Sequence, residues 1–264
     1  MVAAHARSVP FLRVRVIPRR YGLAVSTLRR AAPLNTTDPR FTRPLYTVTE
    51  AASYLGVPRS TFDTWVRGYV RRPAGRKPVA GEALLTSVPG GRLTIPFVGL
   101  AEGMVLAAFR ETGLPLQRIR PALERLDQEM GLEHALASRH LYTDGAELLF
   151  DYAKSQRDKQ LGLLTVVRSG QRVFHDVIDQ YLKRIEYDGG WAIRLALPIT
   201  EESILVADPE RAFGQPIFIH GAARLADVIG RIEAGEDELE VAEDYGVPLD
   251  DVHAALAAPS RAAA

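Results

Sequence analysis

The chain has 264 residues, of which 47% are hydrophobic and 25% charged, and it has no cysteine. This composition is ordinary for a globular protein with a buried core, and it excludes disulfide bonds, thiolate zinc sites and cysteine nucleophiles. The net charge of +1 conceals two opposite parts, because residues 1–80 carry +12 and residues 81–264 carry −11. Such a division predicts a polyanionic partner for the first part and a basic protein for the second. The alternative is a basic flexible tail followed by solvated acidic helices.

Residues 1–40 form a basic segment that we expect to be a flexible arm. Within it, residues 11–17 alternate in a way that is compatible with a short strand. Arg13, Arg15 and their basic neighbours interrupt the apolar run that a signal peptide needs. We therefore expect a cytoplasmic protein, and the missing cysteines fit a reducing compartment.

Residues 41–97 predict a helical DNA-binding domain. Thr49 is the expected N-cap of a first helix and Gly56 the residue that ends it. Pro58 then opens a second helix, so the segment has the layout of a helix-turn-helix unit. The alternative is a helix-turn-helix unit that serves only for packing or protein binding.

The second helix and the basic run after it carry the candidate DNA contacts. Arginine binds guanine bidentately in the major groove, serine and threonine serve bases or phosphates, and dense basic runs suit phosphates. Residues 83–86 and 93–95 predict a β-hairpin in the position of a wing. The predicted DNA-binding residues are Arg59, Ser60, Thr61, Thr64, Arg67, Arg71, Arg72, Arg76, Lys77 and, at the tip of the wing, Arg92.

The run YTVTEAASYLGVPRSTF at residues 46–62, followed by Trp65 and Val66, resembles the winged helix-turn-helix of the MerR and excisionase group. The resemblance implies a domain that reads DNA. The chain departs from this group at the end of the wing, where residues 94–97 read TIPF and the group has Arg-Tyr.

Residues 98–206 predict a central region of helices and β-hairpins. An apolar helix is expected from Val98 to Arg110, and another helix at residues 174–185. Hairpins are expected at residues 141–150 and 185–197, and strands at 204–206 and 217–219. The apolar residues Leu116, Ile119, Leu123, Leu126 and Met130 follow a helical spacing that suits helix pairing, which predicts a homodimer.

Residues 207–258 predict an acidic helical domain, and residues 259–264 a mobile tail. Gly246, Val247 and Pro248 repeat the frame of Gly56-Val57-Pro58, which indicates a second helix-turn-helix unit. Its carboxylates would repel phosphates, so the unit is better suited to a basic protein surface. The predicted partner-binding residues are Glu236, Asp237, Glu240, Glu243, Asp244, Asp250, Asp251 and Arg261 of the tail.

The GQPIFI run at residues 214–219 and the AGE run at 234–236 resemble a small antitoxin-associated domain of unknown function, often encoded beside PIN-domain toxins. The family often has Arg-Gly-Thr-Arg after the second strand, and here only Gly221 and Arg224 match that element. Together the two resemblances imply a VapB-type antitoxin of a type II toxin–antitoxin system. Such a protein would neutralise a PIN-domain ribonuclease and repress its own operon. Guanidinium groups pair well with carboxylates, so Arg261 in the tail is a candidate to reach the acidic metal site of a toxin. The alternative is a frayed tail without a function.

Two other classes remain open at this stage. The first is a stand-alone MerR-like regulator whose central domain senses a ligand in a pocket lined by Trp191, Tyr187, Phe174 and Tyr181. The second is a hydrolase that uses His175 and nearby carboxylates. The chain has no dinucleotide-binding, phosphate-loop or HExxH motif. We therefore expect an α+β protein that is not an enzyme and that has no catalytic residues, metal or cofactor.

Overall fold

The computed structural model describes residues 37–72, 75, 77–111, 134–139, 141, 179–200 and 202–258. The predicted arm up to residue 36, the seam at residues 116–130, the hairpin at 141–150 and the tail at 259–264 lie outside the described residues, apart from Leu141. Helices and small antiparallel sheets alternate along the described chain, which confirms the α+β class.

The helix-turn-helix unit consists of α2 (Val48–Tyr54) and α3 (Arg59–Arg67), preceded by a short helix α1 (Pro39–Thr42) and the strand β1 (Pro44–Tyr46). The N-cap of α2 is Thr47, and the prediction of Thr49 was wrong. The Thr47 hydroxyl accepts a hydrogen bond from the Glu50 amide at 3.0 Å, and the Glu50 carboxylate accepts one from the Thr47 amide at 2.7 Å. This reciprocal capping box fixes the start of the helix two residues earlier.

The turn between the two helices forms as predicted. Gly56 has a φ of 64°, a conformation that glycine adopts without steric cost. The buried Val57 donates its amide to the Ala52 carbonyl at 2.9 Å. Helix α3 then buries Phe62 and Trp65, which leaves its opposite face toward solvent.

The β-hairpin after α3 lies earlier in the chain than the sequence predicts. Strands β2 (Tyr69–Arg71) and β3 (Val79–Gly81) pair antiparallel. The predicted strand at residues 83–86 instead packs on α3, because the amides of Leu84 and Leu85 both donate to the Trp65 carbonyl. The strand β4 (Ile95–Pro96) pairs with β1.

Helix α4 (Phe97–Glu111) is the centre of the core, and residues 97–109 of it are all buried. This confirms the predicted buried helix. A Cβ atom on Gly103 would lie 2.8 Å from the Phe62 ring and 2.9 Å from Leu55, so glycine allows the helix-turn-helix unit to pack directly on α4. The buried Glu102 carboxylate accepts hydrogen bonds from the amide of Thr86 at 2.6 Å and its hydroxyl at 3.0 Å.

A four-stranded antiparallel sheet has the order β5 (Ile185–Asp188), β6 (Trp191–Ala196), β7 (Leu205–Ala207) and β8 (Ile217–Phe218). The predicted hairpin at residues 185–197 and the strands at 204–206 and 217–219 are confirmed within one or two residues. Strand β7 contains residues from both sides of the predicted boundary at 206/207, so one sheet joins the two predicted regions.

Three helices complete the C-terminal part: α5 (Leu225–Glu233), α6 (Glu238–Tyr245) and α7 (Leu249–Ala257). Gly246, with a φ of 62°, forms the turn between α6 and α7 in the same way as Gly56 in the first unit. The second helix-turn-helix arrangement is thereby confirmed. Within the described parts of the chain, no helix has the length and apolar character required to cross a membrane.

Candidate functional site

The exposed start of α3 presents the first group of predicted DNA contacts. Arg59 and Ser60 are exposed, and Thr61 and Thr64 are half-buried. The Thr64 hydroxyl donates to the Ser60 carbonyl at 2.9 Å, so its oxygen remains available only as an acceptor. A major-groove contact from this helix end therefore depends mainly on Arg59, Ser60 and Thr61.

Arg67 at the end of α3 is held by an acidic neighbour that sequence reasoning passed over. Its Nε atom lies 2.7 Å from a carboxylate oxygen of Asp63, one helical turn earlier, and both side chains are largely exposed. The four-residue spacing was visible in the sequence and could have identified the pair. Asp63 therefore weakens the positive charge of the face that α3 presents.

The hairpin of β2 and β3 carries the second basic group. Arg71 ends β2, Arg72 and Lys77 are exposed between the strands, and Arg76 lies outside the described residues. Val70 in β2 is 65% exposed, which is unusual for a β-branched side chain. Arg92 is exposed on a separate loop rather than at the tip of this hairpin.

The turn of the helix-turn-helix unit borders a cleft of about 430 Å³. Its lining residues are Thr49, Ala52, Ser53, Gly56, Val57, Pro58, Arg59 and Arg110. Arg110 belongs to the last turn of α4, and sequence reasoning did not include it among the candidate contacts. No local pattern relates Arg110 to Arg59, because only the packing of α4 against α2 and α3 brings them to one cleft.

Two buried tyrosines connect the helix-turn-helix unit with the C-terminal part. The Tyr46 hydroxyl donates to the Gly214 carbonyl at 2.8 Å, and the Tyr54 hydroxyl donates to the side-chain oxygen of Gln215 at 3.0 Å. Burial raises the pKa of both tyrosines well above the ordinary value, so both hydroxyls remain donors even in alkaline solution. Arg43 also stacks over the Phe213 ring at 5.4 Å. The strand β1 and the helix α2 are thus in direct contact with the GQP run.

The acidic C-terminal helices contain an internal ion cluster around Arg231. The Arg231 guanidinium lies 2.5 Å from Glu236 and 2.8 Å from Asp244, and it stacks on Tyr245 at 5.4 Å. Hydrogen bonds from Arg231 lower the pKa of the Glu236 carboxyl, and the same bonds raise the pKa of Arg231. Glu236 and Asp244, two of the predicted partner-binding residues, are therefore already paired with the Arg231 guanidinium.

The other predicted acidic contacts fall into two groups, those with a structural role in the C-terminal part and those that are only exposed. Asp237 caps α6 by accepting from the amides of Leu239 and Glu240, and the largely buried Asp251 lies 3.1 Å from His220. Among the predicted partner-binding residues on the described chain, Glu240, Glu243 and Asp250 have exposed carboxylates without such a structural role. Arg261 lies outside the described residues, and every assignment in this set stays a prediction.

The residues proposed for a ligand pocket have packing roles where they are described. Trp191 meets Phe41 edge to face at 5.2 Å, and the Tyr181 hydroxyl donates to Glu111. Phe174 and His175 lie outside the described residues. In the described ranges, no group of three or more metal-ligating side chains converges on one point.

Comparisons with known proteins add to this geometry. A family model described as "Putative DNA-binding HTH domain" matches residues 44–123, and a second, described as "Protein of unknown function (DUF433)", matches residues 205–257. "Putative antitoxin VapB45" of Mycobacterium tuberculosis is 45% identical over 226 residues, which are 82% of this chain and 94% of that protein.

Two more comparisons involve the same organism. "Uncharacterized protein Rv2308" is 25% identical over 229 residues, which are 81% of this chain and 89% of that protein. The X-ray crystal structure of Rv2018 is similar with a TM-score of 0.64 and 36% identity, covering 82% of this chain and 99% of that one. The similarity therefore extends over most of the chain, in both sequence and fold.

Proposed function

The chain belongs to the family of the antitoxin VapB45 and carries a DNA-binding helix-turn-helix domain, and from this premise we propose that it neutralises a PIN-domain ribonuclease toxin and represses their shared operon. The observation that carries the proposal is the separation of exposed basic and exposed acidic side chains onto two surfaces. An exposed basic helix start and a basic hairpin lie in one part, and exposed carboxylates on α6 and α7 lie in the other.

The DNA-binding half follows from the exposed face of α3. Arg59, Ser60 and Thr61 enter the major groove, where arginine selects guanine and the hydroxyls contact bases or phosphates. The basic residues of the hairpin bind phosphates beside the groove and give affinity without sequence preference.

We propose a homodimer, since two copies of α3 would match a palindromic operator. A monomeric mass by light scattering at micromolar concentration would contradict the dimer.

The toxin-binding half follows from the acidic helices α6 and α7. A ribonuclease surface that binds RNA is basic, and the exposed carboxylates of Glu240, Glu243 and Asp250 complement it. Leu239 in the first turn of α6 is 51% exposed and supplies apolar area next to these charges. Together they can cover a basic site and exclude RNA from it.

The experiment uses the full chain and the PIN-domain protein encoded beside its gene. Glu240→Gln, Glu243→Gln and Asp250→Asn are combined in one variant, which removes three exposed charges at constant side-chain size. The matched control combines Asp188→Asn, Glu202→Gln and Glu210→Gln, three exposed acids outside α5 to α7. Calorimetry should show toxin binding at least tenfold weaker, about 1.4 kcal/mol or more, for the first variant only. Equal losses in both variants would mean that general charge, and not this surface, attracts the toxin.

A further inference from the structure

The cleft of about 430 Å³ beside the helix-turn-helix turn has the chemistry of an anion site. Arg59 and Arg110 line it together with the hydroxyl-bearing residues Thr49 and Ser53, and none of its described lining residues is acidic. Both arginines are exposed, so a ligand from solvent can reach them. They come from different helices, because Arg59 begins α3 and Arg110 lies in the last turn of α4.

The acidic residues next to the cleft in sequence are engaged elsewhere. The Glu50 carboxylate accepts from the Thr47 amide at 2.7 Å in the capping box of α2. The Glu111 carboxylate accepts a hydrogen bond from the Tyr181 hydroxyl. Neither carboxylate is among the residues that line the cleft, so neither side chain takes the place of an anion there.

The Ser53 hydroxyl is an independent indication of a ligand. Its oxygen is buried and has no hydrogen-bond partner among the described residues. Buried polar atoms in proteins nearly always have a partner, so an unpaired hydroxyl beside a cleft calls for one. A ligand oxygen that enters the cleft would supply the missing acceptor.

The start of α3 favours a negative ligand as well. Pro58 is its N-cap and offers no side-chain hydrogen bond to the first turn. The positive end of the helix dipole at this point therefore remains without a capping side chain. Backbone amides at such a helix start are suited to an oxyanion.

We infer that this cleft holds a phosphate of the DNA backbone, bound by Arg110 with the Ser53 hydroxyl and favoured by the charge of Arg59. The inference rests on the proposed operator binding and adds Arg110, from outside the helix-turn-helix unit, as a DNA contact. A phosphate held there fixes α3 over the major groove through the buried helix α4. Arg110 thereby sets the position of the reading helix, and the exposed face of α3 reads the bases.

The test measures binding of the full chain to the promoter fragment of its own operon and to a scrambled fragment across a range of salt concentrations. Arg110→Gln should bind both fragments about three- to tenfold more weakly, and its slope of log K against log salt should become less negative by about 0.9. The ratio of the two affinities should stay the same, because a phosphate contact carries no sequence information. Arg139→Gln, an exposed arginine outside the helix-turn-helix unit and its cleft, is the matched control and should behave like the wild type.

An unchanged slope in Arg110→Gln would overturn the inference, as would a loss confined to the promoter fragment. The second outcome presupposes that the wild type prefers its promoter over the scrambled fragment. A wild type without this preference would instead contradict the proposed function, so the two failures are distinguishable.

A second arm separates DNA from a small phosphorylated ligand. Inorganic phosphate is compared with chloride at equal ionic strength in a thermal unfolding assay of the wild type and Arg110→Gln. If phosphate stabilises the wild type alone while Arg110→Gln leaves the DNA salt slope unchanged, the cleft binds a free phosphate compound, and the assignment to DNA is overturned. A reduced salt slope in Arg110→Gln supports the DNA phosphate.

Discussion

At the scale of single residues, the charge of the proposed DNA-binding surface depends on which basic side chains have an acidic partner. Arg59 is exposed at the start of α3, whereas Arg67 shares its charge with Asp63. The identity of Arg59 and Ser60 as exposed helix-start residues could be predicted from the Gly-Val-Pro frame, because a turn and an N-terminus are local features. Arg110 could not be predicted, since its closeness to Arg59 depends on tertiary packing across 51 positions of the chain.

Replacing Asp63 with asparagine tests whether this pair restrains DNA binding. Asp63→Asn frees Arg67 and removes a negative charge near the phosphates, so binding to any sequence should tighten about three- to tenfold at low salt. Fluorescence anisotropy with promoter and scrambled DNA measures the change. Asp227→Asn on α5, which breaks a similar pair with Arg224 outside the DNA-binding domain, is the control and should have no effect. Weaker binding to the promoter alone would show instead that Asp63 accepts a hydrogen bond from a base.

At the scale of elements, periodic segments were predicted well and pairings distant in sequence were not. Helix α4 and the hairpin of β5 and β6 follow from an apolar run and from a Gly-Gly turn, both visible within a few residues. The hairpin predicted at residues 83–95 rests on the Pro-Gly-Gly run between its two segments, and such a run indicates a turn but not which segments pair beside it. Ile95 pairs with Tyr46 in β1, a partner about 50 residues away that no local pattern indicates.

The glycine of α4 that faces α3 provides a stability prediction for this packing. A Cβ atom at Gly103 would lie 2.8 Å from the buried Phe62 ring, so Gly103→Ala should destabilise the protein by about 1–3 kcal/mol through overpacking. Urea unfolding of the full chain measures the change. Gly230→Ala in α5 is the matched control, because its Cβ would meet nothing within 4 Å and helix propensity favours alanine by about 1 kcal/mol. Equal effects at both positions would mean that α3 and α4 do not pack this closely.

At the scale of the whole molecule, the helix-turn-helix unit and the C-terminal part are in direct contact. The contacts of Tyr46 with Gly214 and of Tyr54 with Gln215 join residues more than 160 positions apart. The sequence predicted both helix-turn-helix units but not this contact, because nothing near either tyrosine specifies its distant acceptor. The exposed basic face and the exposed acidic face belong to different helix pairs, α2 with α3 and α6 with α7, and we therefore predict that both partners bind at once.

The most direct test of the account is whether the full chain binds its operator and its toxin simultaneously. Mass photometry of the chain, the neighbouring PIN-domain protein and a promoter fragment gives the composition of each complex. We expect a ternary complex with two antitoxin chains on the DNA, and operator affinity that rises when toxin bridges antitoxin dimers. Displacement of the DNA by the toxin, or a chain that binds DNA but never the toxin, would contradict the account.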